Sequence, residues 1–314
     1  MQAIHHGLGP RWRPLAIAFA LCGGLAGFGG GNMVQANGIA SALQHAFGWP
    51  TWATGVALLV LTGAVVLGGI RRIGAVAEKL VPAMCLGYMT CVAVVLVRCA
   101  DQILPALALI VQTAFTGTAA TGGFVGASLM LAVQRGVSRG IFSNEAGLGT
   151  AGIAQAAGAT RDPVYSGLIG MMGTFIDTLV VCTLTGLAIV VSGAWTDGST
   201  GAVLTATSFS AALPGLGPAL VALSLTVFAF TTILGWAYYG ERCWAYLLGP
   251  RCITPYRWLW TLAVWPGAVL SLDLAWLVAD TLNALMAVPN LVSLLALCPV
   301  VLRLTDAYFT PSRD

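Results

Sequence analysis

Long apolar stretches dominate the chain, and they lack the period-two alternation that a membrane barrel strand requires. Runs near the ~20 residues needed to cross a bilayer as a helix fall at 14–43, 52–70, 80–98, 124–157, 164–192, 218–248, 257–271 and 275–302. Eight spans are expected. Lipid-embedded backbone must satisfy its own hydrogen bonds, so the pattern predicts an all-α polytopic membrane protein. The segment 103–114 is too short to cross and carries Pro105, which predicts an interfacial or re-entrant helix.

Composition sharpens this reading. Of 314 residues, 58% are hydrophobic and 8% are charged, whereas a water-exposed surface uses about a quarter charged residues. A lipid bilayer is therefore the expected solvent. The net charge of +3 is small and scattered, which excludes a nucleic-acid-binding stripe. The eight cysteines lie mostly inside apolar runs without a CxxC pair, as small core residues do. All three histidines, His5, His6 and His45, lie near the start, so a histidine metal cluster in the membrane is excluded.

Positive charge marks the cytoplasmic loops. Arg11 and Arg13 precede the first span, and Arg71, Arg72 and Lys79 lie between the second and third. Arg161 follows the fourth, Arg242, Arg251 and Arg257 follow the sixth, and Arg303 and Arg313 follow the last. The intervening connections 44–51, 193–217 and 272–274 have neither Lys nor Arg, and 99–115 has only Arg98 at its edge. Both termini are expected in the cytoplasm. No secretory leader is read before the first span, because 14–43 continues into polar residues without an A-x-A site.

Polar residues at membrane depth need a reason. The first span ends in GFGGGNMVQANGIASAL, where Asn32 and Gln35, three residues apart, are expected to converge on a ligand or on a neighbouring helix. In the fourth span Ser143, Asn144 and Glu145 stand beside Gly147 and Gly149. A broken helix fits this composition. Its freed carbonyls and amide oxygen suit Na⁺, and its new N-terminus suits a carboxylate; a simple glycine kink with Glu145 in a structural ion pair is the alternative. Asp177, centred in the 164–192 run, needs a partner or a proton, with Asn144 or a bound cation as candidates and a purely structural contact nearly equal.

The sixth span contributes Thr231 and Thr232, two adjacent hydroxyl acceptors that either ligate an ion or bond back to their own helix. Trp236, one turn on, is a candidate lid over a small substrate. Glu241 and Arg242 near the cytoplasmic end are expected to form a gating or stabilising ion pair. Pro289 bends the last span, and Asp280, Asn283 and Asn290 read as mainly structural fillers of freed backbone bonds.

Six stretches in order, GNMVQANGIASAL, GGIRRIGAVAEKLVPAM, RGIFSNEAGLGTAGIAQAA, FIDTLVVCTLTGL, TTILGWAYYGERC and WLVADTLNALMAVPNL, resemble the signatures of the alanine or glycine:cation symporter family, the sodium:alanine symporters. The resemblance implies a LeuT-type fold of two inverted five-helix repeats and sodium-coupled symport of alanine or glycine, H⁺ replacing Na⁺ in some members, across the plasma membrane. By the same resemblance Gln35, Ser143, Asn144, Gly147 and Trp236 face the substrate. Asn144, Asp177, Thr231 and Thr232 are the implied sodium ligands, with sodium as coupling ion and no other cofactor or metal.

The family carries a further region before the GLGPRW lead-in, with two helices and a GTGNIAGVA-like break. The chain is thus expected to lack the first two helices of the first repeat, residues 1–123 being the remainder of that repeat with a connector and 124–302 the second repeat. A non-transporting truncated remnant, or one half of a split transporter, is the alternative reading. No H-E-x-x-H, G-x-G-D or membrane histidine supports an enzyme.

Overall fold

The computed structural model describes residues 1–114, 129–145, 147–160, 162–198, 201–270 and 273–310. The expected repeat boundary at 123/124, the first residues of the 124–157 span, Arg161 and Arg313 lie outside the described residues.

Among the described residues the chain forms helices and no strands. Besides short helical turns at Gln2–Gly7, Ala100–Gln102, Ala194–Asp197 and Pro250–Cys252, they are α1 (Pro10–Phe47), α2 (Thr51–Val66), α3 (Gly69–Arg98), α4 (Ile103–Ala114), α5 (Leu129–Asn144), α6 (Thr150–Gln155), α7 (Pro163–Val191), α8 (Gly201–Ala212), α9 (Gly217–Leu248), α10 (Ile253–Val269) and α11 (Asp273–Phe309). Five are long and apolar enough to cross a membrane: α1, α3, α7, α9 and the Trp276–Phe309 part of α11. The 52–70 and 257–271 runs correspond to α2 and α10, helices of 16 and 17 residues. At ~1.5 Å per residue these measure about 24–26 Å, short of a ~30 Å hydrocarbon core. The 103–114 segment forms the short helix α4.

Local chemistry explains several boundaries. Asp162 caps α7, its Oδ1 accepting from the backbone N–H groups of Val164 (2.8 Å) and Tyr165 (3.1 Å), with Pro163 at the first helical position. Leu216 precedes α9, whose second residue is Pro218, and Gly249–Pro250 ends it. Two helices contain wide π-helical segments, Gly27–Met33 in α1 and Phe175–Cys182 in α7. Such segments occur mostly as local bulges, often at functional sites, because each displaces the side chains beyond it.

α1 is the axis of the main core. It packs against α9, α10 and α11, and Phe19, Ile39, Ile233, Leu234, Trp260, Val264 and Met286 are wholly enclosed there. Gly31 is what allows α9 to come this near: a Cβ at that position would overlap the Trp236 side chain. A second, smaller core joins α3, α7, α8 and α9 around Tyr88, Val92, Val95, Phe209 and Val221.

Candidate functional site

The fourth apolar run breaks where its composition predicts. α5 ends at Asn144, α6 starts at Thr150, and between them Glu145 (φ +52°), Gly147 (+87°) and Gly149 (+87°) take left-handed conformations. Glu145 is the sole non-glycine with positive φ among the described residues, a costly conformation for a side-chain-bearing residue. Its carboxylate bridges the break: Thr150, the first residue of α6, donates to Oε2 at 2.9 Å. On the far side the Asn290 amide of α11 donates to the Gly147 carbonyl at 3.0 Å. The start of the second half-helix, expected to receive a substrate carboxylate, thus lies beside the protein's own Glu145.

The end of α5 faces the π-helical segment of α7. Ser143 donates to Asp177 Oδ2 at 2.7 Å and lies 3.3 Å from Cys182 Sγ, while the Asn144 amide donates to Thr178 Oγ1 at 3.0 Å. Asp177 thus takes Ser143, with the Thr178 hydroxyl at 3.5 Å from the same oxygen, and Asn144 reaches Thr178. The widened turn explains this, because it presents Asp177, Thr178 and Cys182 together to two successive residues of α5. From Asn144 and Thr178 a cleft of about 920 Å³ runs between α6 and α7 past Gln155 and Ser166 to Asp162. This arrangement offers hard oxygen atoms, from Ser143, Asp177 and Thr178, beside an amide that carries both donor and acceptor atoms.

Of the remaining predicted residues, Gln35, Thr231 and Thr232 bond within their own helices. Gln35 donates to the Gly30 carbonyl at 3.0 Å. Asn32 is fully buried and turns the other way, its amide donating to the Trp260 carbonyl at 2.9 Å. The convergence expected of these two does not occur, since the π-helical turn ending at Met33 alters the α-helical i,i+3 register. Thr231 and Thr232 both donate to the Phe228 carbonyl, at 2.8 and 3.0 Å, leaving their oxygen lone pairs free to accept or ligate. Trp236 is buried, stacked edge-on with Tyr239 and seated over Gly31.

The sodium:alanine symporter family profile matches residues 1–314. The chain belongs to this family. It is 46% identical over 308 residues to the sodium/alanine symporter AgcS of Methanococcus maripaludis, covering 96% of this chain and 66% of that protein. It is also 45% identical over 312 residues (98% and 68%) to an uncharacterised transporter of Haemophilus influenzae, and 30% identical over 293 residues (87% and 65%) to the sodium/proton-dependent alanine carrier protein of Bacillus sp. strain PS3. The chain spans about two thirds of the length of these curated relatives. Family membership makes this a polytopic membrane protein of transporter type rather than an enzyme.

In this symporter-family chain, the SNEAGLG stretch that carries the resemblance most specifically coincides with the break at 145–149. Three residues outside the sequence-based site take part in its geometry. Thr178 and Cys182 are brought in by the π-helical register, which hydropathy does not reveal. Arg139, one turn before Ser143, pairs with Asp280 at 2.8 Å across the bundle. The expected Glu241–Arg242 pair forms at 2.6 Å, and buried Glu241 also takes Arg257 at 2.6 Å.

Proposed function

We propose that the chain is the transport-competent core of a secondary active transporter that couples entry of a small neutral amino acid, alanine or glycine, to the Na⁺ gradient by alternating access. Family membership supports the coupling, and the observation that carries the site is the α5–α6 break facing Asp177 and Thr178. Within this reading Ser143, Asn144, Gly147, Gln35 and Trp236 contact the amino acid. Asn144, Asp177, Thr231 and Thr232 ligate Na⁺, the two threonines using the lone pairs that their bonds to Phe228 leave free. A helix break of this kind at membrane depth is tolerated where it lines a cavity, and the cleft beside Asn144 meets that requirement.

The fold is read as LeuT-type, in the plasma membrane with both termini cytoplasmic, and with an amino-terminal segment completing the first repeat. Binding of labelled alanine to the purified protein across a sodium titration tests the reading. Saturable binding that requires Na⁺ is expected, and binding indifferent to Na⁺ overturns the coupling.

A further inference from the structure

The Arg139 side chain of α5 is partly exposed, and among the described residues the groups that hold its guanidinium belong to α11. It donates from Nη2 to Asp280 Oδ2 at 2.8 Å, and its guanidinium carbon lies 4.1 Å above the centroid of the Trp276 ring. Trp276 and Asp280 are one turn apart on α11, so the planar cation is held between an aromatic face and a carboxylate, an arrangement that a lysine cannot reproduce. Phe142, three residues on, has its ring 6.0 Å from that of Trp276 and abuts Gly30 in the π-helical segment of α1. Ser143 and Asn144 follow directly. A clamp to α11 thus lies one turn before the two residues that meet Asp177 and Thr178. A second Arg139 nitrogen, Nη1, is enclosed and unpartnered. The guanidinium is thus held by the ion pair and the ring, without a full set of hydrogen bonds.

We propose that Arg139 is a positioning residue for symport, and that its pairing with Asp280 and stacking on Trp276 set where Ser143 and Asn144 stand relative to Asp177 and Thr178. The proposal rests on the symport reading for its transport consequence but has a readout of its own. Cys182, exposed and 3.3 Å from Ser143, reports whether the end of α5 is in place.

The test is the rate of maleimide labelling of Cys182 in membranes, read on its own peptide by mass spectrometry, together with sodium-dependent alanine uptake. Arg139→Gln and Asp280→Asn are each expected to label about tenfold faster and to raise the half-saturating Na⁺ more than they lower the maximal rate. The charge swap R139D/D280R is expected to return both readouts toward the parent. Trp276→Leu, which keeps the ion pair, is expected to give an intermediate rate and provides the test where a charge variant fails to insert. Parental labelling in the inserted single variants, or a swap no better than they are, overturns the assignment. Absence of uptake in the parent would count against the symport reading alone, because the labelling comparison still decides the role of Arg139.

Discussion

The side-chain amide of Asn290 donates to the Gly147 carbonyl at 3.0 Å, tying α11, just past Pro289, to the break between α5 and α6. The same side chain closes over Gly149, where an added Cβ would lie 2.7 Å from both Asn290 Oδ1 and the Phe19 ring at φ +87°. Gly149→Ala combines a left-handed alanine with overpacking, a loss of about 2–4 kcal/mol. Thermal unfolding in detergent should show a markedly lower midpoint for it. Gly152→Ala, with open space around its Cβ on α6, should unfold at or slightly above the parental temperature.

Asn144→Ala removes the amide that reaches Thr178, and Gln35→Ala removes the amide held at Gly30. Both should lower sodium-driven uptake about 100-fold while the protein inserts normally, a loss of about 2.7 kcal/mol in transition-state terms. Uptake near parental values in both variants would disprove their assignment to the site.

Asp177→Asn keeps an acceptor for Ser143 but removes the charge. The half-saturating Na⁺ concentration should rise about tenfold, equivalent to about 1.4 kcal/mol. A sodium curve superimposable on that of the parent would leave Asp177 a purely structural contact.

Glu241 is 2% exposed and pairs with two arginines, Arg257 of α10 and its neighbour Arg242. Glu241→Ala would strand Arg257, whose exposure is low, and should cost about 3–5 kcal/mol. Arg242→Ala, on the more exposed side, should cost far less. Melting curves of the two variants separate them, and equal losses would contradict the unequal burial argument.

How far the sequence reaches is plain from particular residues. The break at 145–149 was legible because Ser143, Asn144 and Glu145 beside two glycines cannot continue an apolar helix without freeing backbone groups. Helices α1, α7, α9 and α11 follow from uninterrupted hydropathy. The π-helical segments were not legible, since widened turns leave composition unchanged, and with them went the partner of Asp177 and the divergence of Asn32 from Gln35. Pairs such as Arg139–Asp280, 141 positions apart, and Arg257–Glu241 depend on which helices meet, and hydropathy carries no such information. Asn290, expected to fill freed backbone bonds of its own bent span, instead fills one in the α5–α6 break, the Gly147 carbonyl.

Sodium-coupled symport is tested most directly by uptake of labelled alanine into proteoliposomes holding this chain, alone and with the remaining third of the relatives' length restored, under an inward Na⁺ gradient. Accumulation driven by the gradient is expected in the restored protein and is expected to be lost in its Asn144→Ala variant. Accumulation by the chain alone would show that these helices suffice. No gradient-driven accumulation in either form would contradict the proposal that this chain is the core of a sodium-coupled symporter.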